Sequence, residues 1–107
     1  MEREEKLKFI EELGISEGDY DELYKECVQD MIKKLSELNK AIERDNLVEA
    51  GKAVHSLKGL SGNYGIKSVY DISASIDIDI KNKSNKGEIE NKIRSLGKVI
   101  EIIKKKT

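Results

Sequence analysis

The sequence predicts an all-α fold, and three observations carry that prediction. There is no proline in 107 residues, Lys, Glu, Ile and Leu are abundant, and apolar residues recur at steps of three and four. A short leading helix is expected over Glu2–Leu13, with Leu7 and Ile10 inward, Phe9 a further candidate, and Gly14 as its stop. Ser16 is a suitable N-cap for a long second helix, with Asp and Glu in its first turn where the helix dipole favours them. Its apolar stripe is Tyr20, Leu23, Cys27, Met31, Leu35, Leu38 and Ile42. Asp45 and Asn46 break the pattern, and Asn46 followed by Glu49 has the side-chain types of a capping arrangement. A third helix is therefore expected over Leu47–Tyr64, ended by Gly65 in the left-handed conformation. A fourth begins near Ser68 and turns Val69, Ile72, Ile76 and Ile80 inward. Residues 76–80 alternate as Ile-Asp-Ile-Asp-Ile, as a strand would, but a lone strand in a helical chain has nothing to pair with. The polar stretch 82–87 reads as a turn, and Ile89, Ile93, Leu96, Ile100 and Ile103 mark the last helix.

Four amphipathic helices with short connections pack most simply as an antiparallel up-down four-helix bundle, the short additional N-terminal helix capping one end. One domain is expected over residues 1–107, with the bundle core at about 16–106. The chain is too short for a nucleotide-binding domain beside a second domain. Its 20 basic and 21 acidic residues nearly cancel, which gives no general attraction to nucleic acid or to an anionic membrane. One cysteine and one histidine make neither an internal disulfide nor a protein-only zinc site. The acidic, charge-interrupted N-terminus lacks the apolar centre of a signal peptide, so a cytoplasmic monomer that contacts neither nucleic acid nor membrane is expected. Charge is divided unevenly: residues 1–50 hold 8 basic and 15 acidic groups, and residues 51–107 hold 12 and 6. Solvated faces that help neighbouring helices choose each other account for that split.

The third helix carries what a bundle alone does not explain. Gly51, Gly59 and Gly62 lie in its interior, where each costs roughly 0.8–1 kcal/mol relative to alanine. On a helical wheel Gly51, Lys52, Lys58, Gly59 and Gly62 fall within roughly 60° of His55, with Val48 the only apolar residue on that stripe. Ala50, Ala53, Val54, Leu57, Leu60, Ser61 and Tyr64 cluster opposite, which makes that side the core and turns His55 to solvent. A solvent-facing imidazole with a lysine one turn away and a flank stripped to glycine is a surface that a large partner can approach closely. Val48, Gly51, Lys52, Gly59 and Gly62 are the docking candidates.

The segment Ala53-Val-His55-Ser-Leu57-Lys58-Gly59-Leu-Ser61-Gly62-Asn63-Tyr-Gly65 resembles the signature of histidine-containing phosphotransfer (HPt) domains, close to H-x-L-K-G-x-S/A. The likeness runs from about Ser16 to the C-terminus, with Ile76-Asp77 where the family usually has Leu-Glu. The resemblance implies that His55 is the phosphoacceptor of a phosphorelay, exchanging a phosphoryl group with an aspartate of a response-regulator receiver domain, with a sensor or hybrid histidine kinase upstream. An imidazole nitrogen is a competent nucleophile near neutral pH. Lys58 would offset phosphoryl charge, and Gly59 would leave room for the receiver's active site. The receiver would supply Mg²⁺ and most catalytic groups, so the chain needs no cofactor of its own and is a phosphocarrier without autokinase activity. In keeping with that, it contains neither G-x-x-x-x-G-K-S/T nor G-x-G-x-x-G.

Two other classes compete: a helical protein-interaction module that keeps the bundle without relay activity, and a histidine-dependent enzyme. The second is disfavoured by the lack of an orienting carboxylate on the face of His55. Cys27 falls on an apolar stripe and reads as a small buried hydrophobe. Asp77 and Asp79, at a spacing of two, point to different helix faces and are expected to be solvated. Tyr20, Tyr24, Tyr64 and Tyr70 are expected at core edges with wet hydroxyls.

Overall fold

The computed structural model of the chain describes residues 7, 10–12, 14 and 16–107. The leading helix expected over Glu2–Leu13, including Phe9, lies largely outside these residues. Within them, 7 and 10–12 are helical and Gly14 takes φ 65°, its N–H bonded to Ile10 O at 2.9 Å. Four helices follow: α1 (Glu17–Glu43), α2 (Leu47–Asn63), α3 (Lys67–Lys81) and α4 (Lys86–Lys105). Each packs against its sequence neighbours, and α4 returns to α1, which closes the ring of an up-down bundle. Antiparallel register between α2 and α3 is plain from their contacts, since Lys58 meets Asp77 whereas Gly62 faces Tyr70.

The helix boundaries follow from local chemistry. Ser16 Oγ accepts the Asp19 N–H at 3.0 Å, and Asn46 Oδ1 accepts the Glu49 N–H at 3.1 Å, so both expected N-caps satisfy a donor that the first turn leaves free. The three connections are built alike. After α1 the Asn46 N–H reaches Ala41 O (2.8 Å), after α2 the Ile66 N–H reaches Ser61 O (2.8 Å), and after α3 the Ser84 N–H reaches Asp79 O (2.9 Å). Each is the long hydrogen bond of a Schellman motif, with Asp45, Gly65 and Lys83 at φ 54°, 64° and 53° in the left-handed position. Because Asn46 and Ile66 both end one motif and cap the next helix, the chain reverses in about three residues and adjacent helices must run antiparallel.

The core is drawn from all four helices: Met31 and Leu38 from α1, Val54 and Leu57 from α2, Val69 and Ile76 from α3, Leu96 and Ile100 from α4. On α1 the buried face is wider than a single stripe because the helix packs against both α2 and α4. Val28 and Ala41 are buried, whereas Leu23, on the expected stripe, is exposed. Residues 76–80 are helical as expected, with Ile76 and Ile80 buried and Ile78 outward. Among the described residues no helix is long and apolar enough to cross a membrane. Leu57 is fully buried and fastens α2 to the core, so Leu57→Ala should cost about 2–5 kcal/mol, read as a lower urea midpoint with little change in slope.

Candidate functional site

Helix α2 packs through one side only. Ala50, Ala53, Val54, Leu57 and Ser61 are buried, and the Ser61 hydroxyl is satisfied within the helix by donating to Leu57 O at 2.7 Å. His55 stands on the opposite side, exposed, two turns in from the start of the helix. Around it Lys52, Gly59 and Gly62 are exposed, Gly51 is half-buried, and Val48 is 69% exposed. Neither crowding nor backbone geometry demands glycine at 51 or 59. Both are helical, and a Cβ built on either would meet nothing within 4 Å. Gly62 differs, since a Cβ there would lie 3.5 Å from the Tyr70 ring on α3, an ordinary contact. Tyr70 is exposed on α3, which adds apolar surface beside the α2 face that sequence reasoning did not assign to it.

Lys58 is placed less freely than expected. It is half-buried, and its ammonium lies 3.4 Å from Asp77 Oδ2 across the α2–α3 seam. The same oxygen accepts from Lys81, one turn further along α3, at 3.0 Å. Asp77 is thus a nearly buried carboxylate held by two lysines, which corrects the expectation of a solvated surface residue. Asp79 is corrected likewise. It points to the other side of α3, only 14% exposed, with Lys92 of α4 at 2.6 Å, and that lysine also donates to Ser75 Oγ at 2.7 Å. The two carboxylates do face opposite ways, but each finds cations on a neighbouring helix, and pairing is what makes burial of a carboxylate tolerable. The i,i+4 spacing of Asp77 and Lys81 was the one signal in the sequence that pointed to this cluster.

The remaining candidates are structural. Cys27 is buried, its Sγ 3.8 Å from Leu60 O, and burial together with nearby Asp30 pushes its thiol up to about 11, far from a reactive thiolate. Tyr20, Tyr24 and Tyr64 form an aromatic cluster with ring centroids 6.0–6.1 Å apart, and burial first, then the neighbouring phenols, pushes Tyr20 up to about 12. Tyr70 alone of the four tyrosines is exposed. Among the described residues no three His, Cys, Asp or Glu side chains gather as a metal site would require.

Burial raises the Asp77 carboxyl, but hydrogen bonds and charge from Lys81 and then Lys58 outweigh it, leaving the group below the ordinary value of 3.8. A carboxyl depressed by folding stabilises the fold fully above its unfolded value, and that contribution is lost as pH falls through the folded value. Acid titration of stability from about pH 5 to about pH 2 should therefore show a steeper loss in the wild type than in Asp77→Asn; parallel curves would show that Asp77 makes no such contribution.

No curated relative and no solved structure matches the chain. A family model described as Hpt domain matches residues 22–99, a span that contains His55, all three α2 glycines and the Lys58–Asp77–Lys81 cluster. With that match on a helical bundle, the chain belongs to the Hpt domain family, whose members carry phosphoryl groups in the phosphorelays of two-component signalling.

Proposed function

We propose that His55 is the phosphoacceptor, taking a phosphoryl group from a receiver-domain aspartate and returning it to such an aspartate. The observation that carries this reading is an exposed histidine on a helix face cleared by glycines that the fold itself does not require. The ring nitrogen that bears no proton attacks phosphorus in line; the N–P bond forms as the acyl-phosphate P–O bond breaks, and the aspartate carboxylate leaves. Such a transfer needs positioning and charge neutralisation more than covalent assistance. The receiver brings Mg²⁺ and the groups around it. This chain contributes the nucleophile, the Lys58 ammonium one turn away, and clearance at Gly51 and Gly59 that lets the receiver's active site descend onto the imidazole. Val48, Lys52 and Gly62 border the docking face. The phosphohistidine carrier has no nucleotide site to build, so ATP with Mg²⁺ alone should leave it unlabelled.

The test is exposure of the purified chain to a panel of phosphorylated receivers. The wild type should take up label that is acid-labile and base-stable, and His55→Gln should take up none. Label that survives acid, or that persists in His55→Gln, contradicts the assignment. A chain that stays unlabelled with every receiver is instead an interaction module that shares the bundle.

Gly59→Gln separates clearance from packing. Replacing a poor helix former at an exposed, uncrowded position should raise stability by up to about 1 kcal/mol while transfer falls, because the new side chain occupies the space the receiver needs. Thermal melting and transfer rate, measured on one preparation, should move in opposite directions; an unchanged rate would refute the clearance argument.

A further inference from the structure

The Asp77 carboxylate holds two lysines on one oxygen, and the two are not equivalent. Lys81 is the closer, at 3.0 Å, with its side chain 72% exposed; Lys58 is the looser, at 3.4 Å, its side chain 26% exposed and reaching across from the helix that carries His55. Asp77 itself is 8% exposed at the side chain, so it has little access to water should a cation leave. A buried carboxylate stripped of its partners is strongly unfavourable, and a single lysine on Asp77 would be held there. With two, one can go. Because this inference rests on the phosphocarrier reading, the departing cation is the one on the phosphoacceptor's helix. We propose that Lys81 is a positioning residue for phosphotransfer: it retains Asp77 so that Lys58 can swing away from the carboxylate and onto the phosphoryl group at His55.

The exchange balances in charge. Before transfer two ammonium groups share one carboxylate; afterwards Lys81 holds Asp77 and Lys58 meets the phosphoryl oxygens one turn back along α2. Return of the phosphoryl group to a receiver restores the shared pair. Lys81 touches neither the imidazole nor the phosphoryl group in this scheme and acts only through Asp77.

Four variants test it: Lys81→Gln, Lys81→Arg, Asp77→Asn and the double variant Asp77→Asn/Lys81→Gln, each assayed for label uptake from one phosphorylated receiver. Lys81→Gln leaves Asp77 with Lys58 alone and should slow uptake about fivefold, and Lys81→Arg should restore it. In the Asp77→Asn background there is no carboxylate to release, so adding Lys81→Gln should change nothing further. Melting curves should show all four variants folded, Lys81 being exposed and Asn matching Asp in shape. A wild-type rate in Lys81→Gln overturns the inference and leaves the carrier reading standing. The same loss with or without the Asp77 carboxylate also overturns it, because Lys81 would then act directly on the receiver. A wild-type chain that takes no label from any receiver overturns both readings.

Discussion

One-sided packing of α2 is the constraint on which the rest depends. A helix in a four-helix bundle must bury a stripe of side chains, and α2 does so with Ala50, Ala53, Val54 and Leu57, while on its other side Lys58 and Gly62 meet α3 at the edge and His55 stays exposed. Most of the outer face is thereby released from structural duty, and the chain fills it with residues that are poor for a helix: three glycines and a histidine. Stability is supplied elsewhere, by a core shared among four helices and by three tight Schellman turns that leave no slack between them. Because the backbone under His55 is fixed by Leu57 and Val54 on the reverse side, the imidazole is carried on a rigid element yet remains open to a partner.

The electrostatics follow from the same geometry. Between α2 and α3 the seam is polar at its outer edge, where Lys58, Asp77 and Lys81 meet, and apolar inside, where Val69 and Ile76 pack with the α2 core residues. On the far side of α3, Asp79 and Lys92 tie that helix to α4. Those pairs lie within the net-positive second half of the chain, whereas Asp45 with Lys86, at 3.0 Å between the connection after α1 and the start of α4, joins it to the net-negative first half. Lys58, one turn from His55 along α2, is the member of the Asp77 cluster carried on the helix of the imidazole.

The helices, their caps and the outward histidine were legible because they depend on local periodicity and on residue types with one dominant use: Ser16 and Asn46 at N-caps, Gly65 at a left-handed stop, and apolar steps of three and four. The Ile-Asp-Ile-Asp-Ile run was also readable as helix, for want of a pairing strand. What escaped was the fate of its carboxylates. An aspartate in a sequence reads as solvated, and only the α2–α3 register, which brings Lys58 level with Asp77, shows that it is enclosed. The same register sets Tyr70 against Gly62, so apolar surface from α3 joins the α2 face without any trace in the α2 sequence. The left-handed Lys83 escaped for a different reason: lysine has no preference for that conformation, and the turn imposes it.

The central claim is that the acceptor face is separate from the packing face of α2, so that phosphorylation alters one and spares the other. Nuclear magnetic resonance of the chain before and after transfer from a phosphorylated receiver tests this most directly. The account predicts a phosphorus–nitrogen coupling to the His55 ring, shifts at Lys58, Gly59 and Asp77, and unchanged methyl signals from Val54 and Leu57. Phosphoryl attachment at any other residue, or core methyl signals that move with it, would contradict the account.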